Sequence, residues 1–423
     1  MLKSLFAIVS IRLRCFLLAL MIGGVGHVFA GADSLKIALP VYGDYRVNCI
    51  SLSNSDFSIS LMNNIWKDVK LKNIVISPYF VEMSLCALYN GSDVKTRDQI
   101  AKVLGQSHET MEGYVVVNAN LYEFINKLDP KYKLTHFSAL WIKDSLNAKE
   151  DFINSAKKDF GINITPINFY KKNIAQELDK DFSEQTNGTF PTILKTVSPK
   201  AKMVMVNAQY FKGFWKKKFK HMGNVDFTLP SGKTKPQMMM FQNGTFEYFQ
   251  DDYLQAVRIP YAGTDLVMEA YVPKQKDGIK TIDTKLNKET LQKWRDSFKS
   301  RKGTVVLPLF NISAKIYLMS PLTAMGLSSA FNPALANFSK MIDGKNGAIT
   351  NFNSGAIISV HDDGIAVPPK QELDDAKISS LPGAFNILAD HPFFFIIRKT
   401  TEDKILFMGQ VISPKDVNKA DED

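Results

Sequence analysis

The sequence predicts an α+β fold in a single domain. Segments with helical spacing and strand-like runs follow one another without the regular βαβ alternation of a parallel α/β protein. Two apolar, β-prone runs at residues 393–397 and 405–411 flank a polar turn and predict a hairpin of buried strands. No Pro/Gly/Ser-rich linker or repeat divides the 423 residues, of which 45% are hydrophobic. This composition is that of a globular chain with a large core.

The N-terminal half carries clear helix-boundary signals. Residues 55–69 place apolar side chains at helical spacing, and Ser77 followed by proline predicts the N-terminus of the next helix. A capping box at 96–99 and a terminating Gly105 predict a short helix over 99–104. The other predicted elements of this half are strands at 73–76, 137–142 and 203–211 and helices at 149–160 and 174–184.

The C-terminal half is richer in strands. Asn243-Gly244, in the middle of residues 238–249, predicts the turn of a hairpin. Strands are also predicted at 254–260, 264–272, 305–310 and 356–360, and helices at 287–298 and 320–326. Residues 362–383 are rich in Pro, Gly, Asp and Lys and lack helical or sheet periodicity. A segment of this kind inside a compact chain is usually functional or disordered.

The first 30 residues have the order of a secretory signal. Positive charges precede an apolar run at residues 15–25, and small residues follow at Ala30 and Ala32. The run is short for a membrane span, although an uncleaved anchor is the alternative. We therefore expect a signal peptide at 1–30, a secreted domain at 31–423 and no membrane partner.

Secretion would permit two covalent modifications. Cys49 and Cys86 remain after removal of the signal, and they either form a disulfide or stay as two buried thiols. Of six Asn-x-Ser/Thr triplets, those at Asn90, Asn163 and Asn243 lie beside turn residues. These three are the preferred candidates for glycosylation.

Positive charge is unevenly distributed along the chain, whose formal net charge is +10. Five lysines crowd one short stretch: Lys212, Lys216, Lys217, Lys218 and Lys220. In a secreted protein this cluster indicates an anionic glycan or an acidic surface as partner, and the alternative is an ordinary solvated face. No nucleic-acid-binding motif accompanies the charge, so nucleic acid is not an expected partner.

The sequence carries no signature of an enzyme, metal or cofactor site. The patterns HExxH, GxSxG, CxxC and GxxxxGK are absent. Ser359, His361 and Asp362 have suggestive residue types, but on a strand Ser359 and His361 lie about 6.6 Å apart. That spacing predicts no hydrogen bond between a nucleophile and its base. We expect a monomer with no catalytic residues, no cofactor and no metal.

Several motifs match a known family. They are Ala-Asp-His-Pro-Phe at 389–393, Phe-Met-Gly at 407–409, Asn-Ala-Gln-Tyr-Phe-Lys-Gly-Phe-Trp at 207–215, and the stretch 73–105 with its predicted strand and helices. Together they resemble the serpin superfamily, the serine protease inhibitors. The resemblance implies one domain with mixed sheets around a large central sheet A and about eight to nine helices. It also implies an exposed reactive-centre loop at about 364–388.

The hinge of this loop departs from the pattern that the resemblance implies for a trapping inhibitor. In such serpins a protease cleaves the loop, and the freed segment inserts into sheet A as a new strand. The family's hinge has a glycine, a small hydroxyl residue and then small residues. Here it consists of Gly364, Ile365, Ala366, Val367, Pro368 and Pro369. Each proline removes a ladder N–H and leaves a buried acceptor unsatisfied, at about 1–3 kcal/mol.

Two more departures fall where the resemblance implies that sheet A opens. Phe80 stands where the family usually has a serine, and Ser354 aligns with a usual histidine. Ser77 and Asn207 are retained. These changes leave the fold intact and weaken the resemblance to a trapping inhibitor.

Counting from Gly364 as in the family places the scissile bond near Ile378-Ser379, with Lys377 as a neighbour. Lys377 would attract a trypsin-like serine protease and Ile378 an elastase-like one.

Three functions follow from the sequence. The first is a non-inhibitory secreted serpin that acts by binding, carriage or as a protease substrate. The second is a trapping inhibitor whose loop tolerates the prolines, and the third is a serpin that binds anionic glycans through the lysine cluster.

Overall fold

The structure, a computed structural model, describes residues 53–69, 71–128, 133–343, 347–362 and 385–415. Four sequence-based predictions fall outside these residues: the signal peptide at 1–30, Cys49, the hinge at 364–369 and the candidate bond at 377–379.

Nine α-helices lie within the described residues, in agreement with the expected number. Ser77 caps the second of them by accepting a hydrogen bond from the Phe80 backbone N–H, and Gly161 ends the fifth in the left-handed conformation. The helices are α1 (Ser55–Asp68), α2 (Pro78–Gly91), α3 (Val94–Val103), α4 (His108–Asn126), α5 (Glu150–Phe160), α6 (Ile174–Gln185), α7 (Ile279–Lys285), α8 (Lys288–Asp296) and α9 (Met319–Ala324).

The described strands form two mixed sheets, so the α+β prediction is confirmed. The strands are β1 (Ile74–Ile76), β2 (Lys133–Lys143), β3 (Ile162–Ile167), β4 (Met203–Lys212), β5 (Lys220–Thr228), β6 (Thr234–Gln250), β7 (Leu254–Pro260), β8 (Leu266–Pro273), β9 (Lys299–Pro308), β10 (Phe310–Tyr317), β11 (Ile349–Val360), β12 (Asn386–Leu388), β13 (Phe393–Lys399) and β14 (Lys404–Val411).

The smaller sheet has five strands in the order β10-β11-β4-β2-β3. Two of its three interior strands, β11 and β4, are parallel and pair directly from Ile349–Met203 to Ser359–Lys212. We call this pairing the seam. The seam holds the sequence motif at 207–212, so this sheet corresponds to the sheet A that the resemblance implies.

The larger sheet follows the path β1-β14-β13-β8-β7-β6-β9-β12, with β5 beside β6. The predicted hairpin of β13 and β14 is confirmed, and every residue of both strands is buried. The hairpin predicted at 238–249 is wrong, because β6 continues through that region as one strand. Asn243 and Gly244 pair there with Thr304 and Gly303 on β9.

Helix α3 also differs from its predicted bounds. It begins at Val94, five residues before the predicted start, and the supposed capping-box side chains bind elsewhere. Thr96 Oγ1 accepts from the Asn337 backbone N–H, and Gln99 Oε1 accepts from the Ser329 backbone N–H. These residues therefore dock α3 onto the segment that follows α9.

A buried charge cluster joins α8 to the larger sheet. Glu269 on β8 is fully buried and contacts three guanidinium groups, those of Arg258 at 2.9 Å, Arg295 at 3.3 Å and Arg398 at 2.8 Å. Burial alone would raise the pKa of Glu269, but the three positive charges lower the pKa to about 2. The carboxylate therefore stays ionised and holds β7, β13 and α8 around β8.

Candidate functional site

The candidate site comprises the described residues that border residues 363–384 in the chain, a range that includes the hinge and the candidate bond. Residues 363–384 lie outside the described part, and the structure describes the chain on both sides of them. On one side, residues 359–362 form what we call the upstream anchor. On the other side, residues 385–388 form the downstream anchor.

The upstream anchor rests on an aromatic bracket built by the Gly-Phe-Trp end of the motif at 207–215. Trp215 Nε1 donates a hydrogen bond to the His361 carbonyl at 2.7 Å, and the indole stacks on Tyr261 with ring centroids 4.6 Å apart. A Cβ at Gly213 would lie 2.5 Å from the Tyr261 ring, so only glycine lets this stack form. The bracket fixes the point at which the chain leaves β11.

Ser359 and His361 in this anchor are hydrogen-bonded, so the prediction that they lie too far apart is wrong. The 6.6 Å spacing separates the Cα atoms, whereas the two side chains share a face and reach towards each other. Ser359 Oγ also donates to Asn311 Oδ1 at 2.6 Å, and an amide oxygen can only accept. His361 Nε2 must therefore donate to Ser359 Oγ, so this imidazole nitrogen is not a base for the serine proton.

Charge around the upstream anchor is largely shielded from solvent. Burial, with a smaller contribution from Lys212, lowers the pKa of His361 to about 4, so the ring is neutral at pH 7. Asp362 lies 3.4 Å from His221 Nδ1, and this contact connects the anchor to β5. Among the described residues, no group of three or more His, Cys, Asp or Glu is placed to hold a metal ion.

The downstream anchor is a strand and not part of a loop, which corrects the predicted loop boundary at 388. β12 pairs in parallel with β9, and the Thr304 backbone N–H donates to the Phe385 carbonyl at 2.9 Å. The Phe385 ring stacks on Tyr248 with centroids 3.9 Å apart. A Cβ at Gly303 would overlap the Phe385 ring, so the ring lies directly over bare backbone. The apolar residues Phe385 and Ile387 are buried, and their burial stabilises this segment as a strand of the sheet.

The seam is held by buried polar side chains as well as by its ladder. Ser354 Oγ on β11 donates to Asn207 Oδ1 on β4 at 2.5 Å. Asn207 Nδ2 in turn donates to Ser84 Oγ on α2 at 3.3 Å. Two of the four residues that the resemblance assigns to sheet opening, Asn207 and Ser354, are therefore bonded to each other across the strands that must separate.

The other two sheet-opening residues lie on α2. Ser77 Oγ donates to the Leu406 carbonyl at 2.6 Å and connects α2 to β14. Phe80 is buried, and its ring lies 5.0 Å from the ring of His136 on β2. Burial lowers the pKa of His136 to about 4. An apolar contact with a neutral histidine therefore occupies the position where the family usually has a serine.

The segment that follows α6 covers the seam from the opposite face. Asn353 Nδ2 on β11 donates to the Ile193 carbonyl at 3.1 Å. Asp179 Oδ1 on α6 holds the segment by accepting the backbone N–H groups of Ile193 and Leu194. A Cβ at Gly355 would lie 3.2 Å from the Ile193 side chain. The segment thus packs closely on the strand that borders the seam.

Sequence reasoning missed Ser84, His136 and Asn353 as residues of this site. Ser84 is a buried polar residue inside an apolar helix pattern, and that interruption is a signal that could have identified it. Asn353 lies in a polar part of its strand and has no such signal. His136 has no comparable signal, because its partners Phe80 and Tyr122 come from distant parts of the chain.

The predicted lysine cluster lies between the two anchors. Lys212 ends β4 and is half-buried, whereas Lys216, Lys217, Lys218 and Lys220 are exposed. Lys217 Nζ donates to the Asn243 carbonyl on β6. No ion pair involves these five side chains within the described part of the chain.

The glycosylation candidates differ in exposure. Asn163 is exposed on the edge strand β3, whereas Asn90 at the end of α2 and Asn243 on β6 are half-buried. Asn243 Oδ1 accepts a hydrogen bond from Thr304 Oγ1 at 2.7 Å, which engages the amide that a glycan would need. Asn187, followed by Gly and Thr, is exposed in the turn after α6 and offers a more open sequon.

Two further observations bear on the sequence predictions. Cys86 is a fully buried free thiol, and burial raises its pKa. In the residues that the structure describes, no helix has both the length and the apolar character needed to cross a membrane.

Comparisons with known proteins agree with this geometry. A family model described as "Serpin (serine protease inhibitor)" matches residues 52–414. Mouse Serpin B5 is 28% identical over 384 residues, which cover 87% of this chain and 100% of that protein. Rat leukocyte elastase inhibitor A is 27% identical, with coverage of 86% and 99%. A solved structure of native protease nexin-1 with heparin aligns with a TM-score of 0.74 at 26% identity, covering 86% of this chain and 98% of that one.

Proposed function

This chain belongs to the serpin family, and from that premise we propose that it is a secreted serpin whose loop is cut by a serine protease without trapping the enzyme. The observation that carries the proposal is the pair Pro368-Pro369, six and seven residues after Asp362. Insertion would begin where the chain leaves β11, so the prolines would be among the first residues to enter the sheet.

The seam sets the free-energy balance of insertion. An inserted strand must replace the direct pairing of β4 with β11 and break the Ser354–Asn207 hydrogen bond. It must then form ladders on both sides, and each proline lacks the N–H for one ladder bond. Two buried acceptors left unsatisfied cost about 1–3 kcal/mol each. Because this cost falls at the start of insertion, it slows insertion while the acyl-enzyme can still hydrolyse.

The test is a thermal melt before and after cleavage within 363–384. We expect almost no change in melting temperature for the unmodified protein and a clear rise for the variant Pro368→Ala/Pro369→Ala. Pro382→Ala is the matched control, because Pro382 lies beyond the candidate bond and is not part of the inserting segment. We also expect no SDS-resistant complex with trypsin-like or elastase-like proteases from the unmodified chain.

A strong rise in melting temperature after cleavage of the unmodified protein would support the trapping inhibitor instead. One additional buried strand adds several kcal/mol, which moves a melting point by several degrees.

Secretion is tested separately: expression of the full chain in a secreting cell should release a protein whose N-terminus lies near residue 31 or 33. Retention of residues 1–30 on a membrane-bound protein would support the anchor.

A second candidate function is binding of an anionic glycan, and the exposed lysines between the anchors favour it. It is also consistent with the relative protease nexin-1, whose solved structure contains heparin. Heparin-affinity chromatography tests this function. If the lysines bind the glycan, the unmodified protein should elute at a salt concentration well above that of the matched variant Lys216→Ala/Lys218→Ala. Equal elution of the two proteins would show that these lysines do not bind heparin.

A further inference from the structure

We propose that the basic surface between the two anchors is a docking site for an acidic surface of the protease that cuts the loop. This inference rests on the proposed function, because it concerns the enzyme that engages residues 363–384. The surface, here called the basic docking surface, consists of Lys212, Lys216, Lys217, Lys218, Lys220, Arg301 and Lys302.

The surface begins at the upstream anchor. Lys212 pairs in the seam with Ser359, and Ser359 lies two residues before His361 in the upstream anchor. The Lys216 backbone N–H donates to the Pro260 carbonyl at 2.9 Å, next to the Tyr261 ring that stacks on Trp215. The lysines that follow β4 are therefore fixed beside the aromatic bracket and do not project from a free loop.

The surface ends at the downstream anchor. Lys217 Nζ donates to the carbonyl of Asn243, which pairs with Thr304, and the Thr304 backbone N–H holds the Phe385 carbonyl. On the same strand β9, Arg301 and Lys302 are exposed. Burial raises the pKa of the Tyr248 phenol, the ring under Phe385, and Arg301 lies close enough to oppose part of that rise. Positive side chains thus extend from the upstream anchor to the downstream anchor.

The charge of this surface is not neutralised by its surroundings among the described residues. Two described carboxylates near this surface have other partners: Asp362 contacts His221, and Glu247 contacts Arg258. The seven basic side chains form no ion pair within the described ranges. A patch of one sign next to a reactive segment raises the association rate of oppositely charged partners by about 10- to 1,000-fold at low salt.

The position favours a protease over other anionic partners. An enzyme bound at residues 377–379 must sit over the segment that the two anchors hold, and a standard protein interface covers about 800 Å² of each partner. That footprint is larger than a loop, so the enzyme surface around its active-site cleft must face the basic docking surface. Acidic residues there would form rim contacts that act chiefly on the association rate.

The experiment compares two trypsins of the same specificity, one anionic and one cationic. The rate constant kcat/KM for cleavage within 363–384 is measured for the unmodified chain and for Lys216→Glu/Lys218→Glu, at low and high salt. Lys195→Glu/Lys200→Glu is the matched control. Its two exposed lysines precede β4, on the side of the strand's first residue and not of Lys212.

We expect the 216/218 variant to lose about tenfold in kcat/KM with anionic trypsin at low salt, and high salt to abolish the difference. Cationic trypsin and the control variant should show no such loss. Cleavage within 363–384 at rates that are equal for all variants would overturn the inference and leave the proposed function intact. No cleavage within 363–384 would overturn the proposed function. Heparin binding lost in the 216/218 variant, with unchanged protease rates, would assign the surface to a glycan and would also overturn the inference.

Discussion

Ser354 Oγ on β11 donates a hydrogen bond to Asn207 Oδ1 on β4 at 2.5 Å. This bond crosses the seam, where β11 and β4 pair in parallel inside the five-stranded sheet. Both side chains are buried, with 1% and 0% of their surface exposed. Because the environment excludes water, breaking this bond leaves two polar groups without a partner. The bond therefore opposes any separation of the seam.

Replacing Ser354 with alanine should loosen the seam. We expect a loss of about 1–3 kcal/mol in the free energy of unfolding, and faster native-state hydrogen exchange of the β4 and β11 amides. Ser359→Ala is the matched control, because Ser359 lies on the same strand but its hydroxyl donates to Asn311 on β10, the neighbouring strand on the side away from β4. Equal exchange rates across the seam in both variants would contradict this role of Ser354.

Gly303→Ala should release the downstream anchor. The new Cβ would overlap the Phe385 ring, push it off Tyr248 and weaken the short strand β12. Limited proteolysis followed by mass spectrometry should then find new cuts at residues 385–388. Gly303→Ala combined with Phe385→Ala tests the mechanism.

Removal of the Phe385 ring eliminates the overlap, so the effects of the two substitutions on melting temperature should be strongly non-additive. Additive effects would show that Gly303 acts through its backbone conformation and not through Phe385.

Glu269→Gln should strongly destabilise the fold. The substitution leaves three guanidinium groups facing one another without the buried carboxylate, a change that typically costs about 3–5 kcal/mol. Glu247→Gln is the control, since Glu247 is half-exposed and contacts only one of these arginines, Arg258. Its loss should stay within about 1 kcal/mol. Thermal melts at pH 7 measure both, and similar shifts would contradict the assigned role of Glu269.

The sequence was most informative where local patterns and burial agree. The buried hairpin of β13 and β14, the Ser77 cap of α2 and the amphipathic α5 and α6 could all be predicted, because their apolar spacing and their boundary residues lie within a few positions of each other. The family motifs lie in the same well-determined segments. They therefore identified the sheet that contains the seam before any contact was known.

Elements fixed by distant partners could not be predicted in this way. Helix α4 was missed because its buried stripe contains the polar Asn118 and its surface exposes Val116, which together obscure the period. The Asn243-Gly244 pair favours a turn locally, but pairing with β9 keeps β6 extended. The bond between Ser354 and Asn207 joins residues 147 positions apart, and no local pattern encodes such a contact.

Two partly buried histidines predict that the protein loses stability in mild acid. Burial lowers the pKa of His136 to about 4, and burial with Lys212 does the same for His361, against about 6.5 in an unfolded chain. Between these values the unfolded state binds more protons, so stability is complete above about pH 6.5 and falls as the pH decreases towards 4. Both rings are partly exposed, which reduces the expected loss to about 1 kcal/mol for each histidine.

Melting temperatures of the unmodified protein and of His136→Gln, His361→Gln and the double variant, measured from pH 7.5 to pH 4.5, test this prediction. The double variant should have the flattest profile, and each single variant should recover part of the loss. The prediction concerns the differences between the four profiles. Burial raises the pKa of Asp283 to about 6, so protonation of this carboxyl adds stability as the pH falls, and it does so equally in every variant. Parallel profiles for all four proteins would show that neither histidine is responsible for the acid sensitivity.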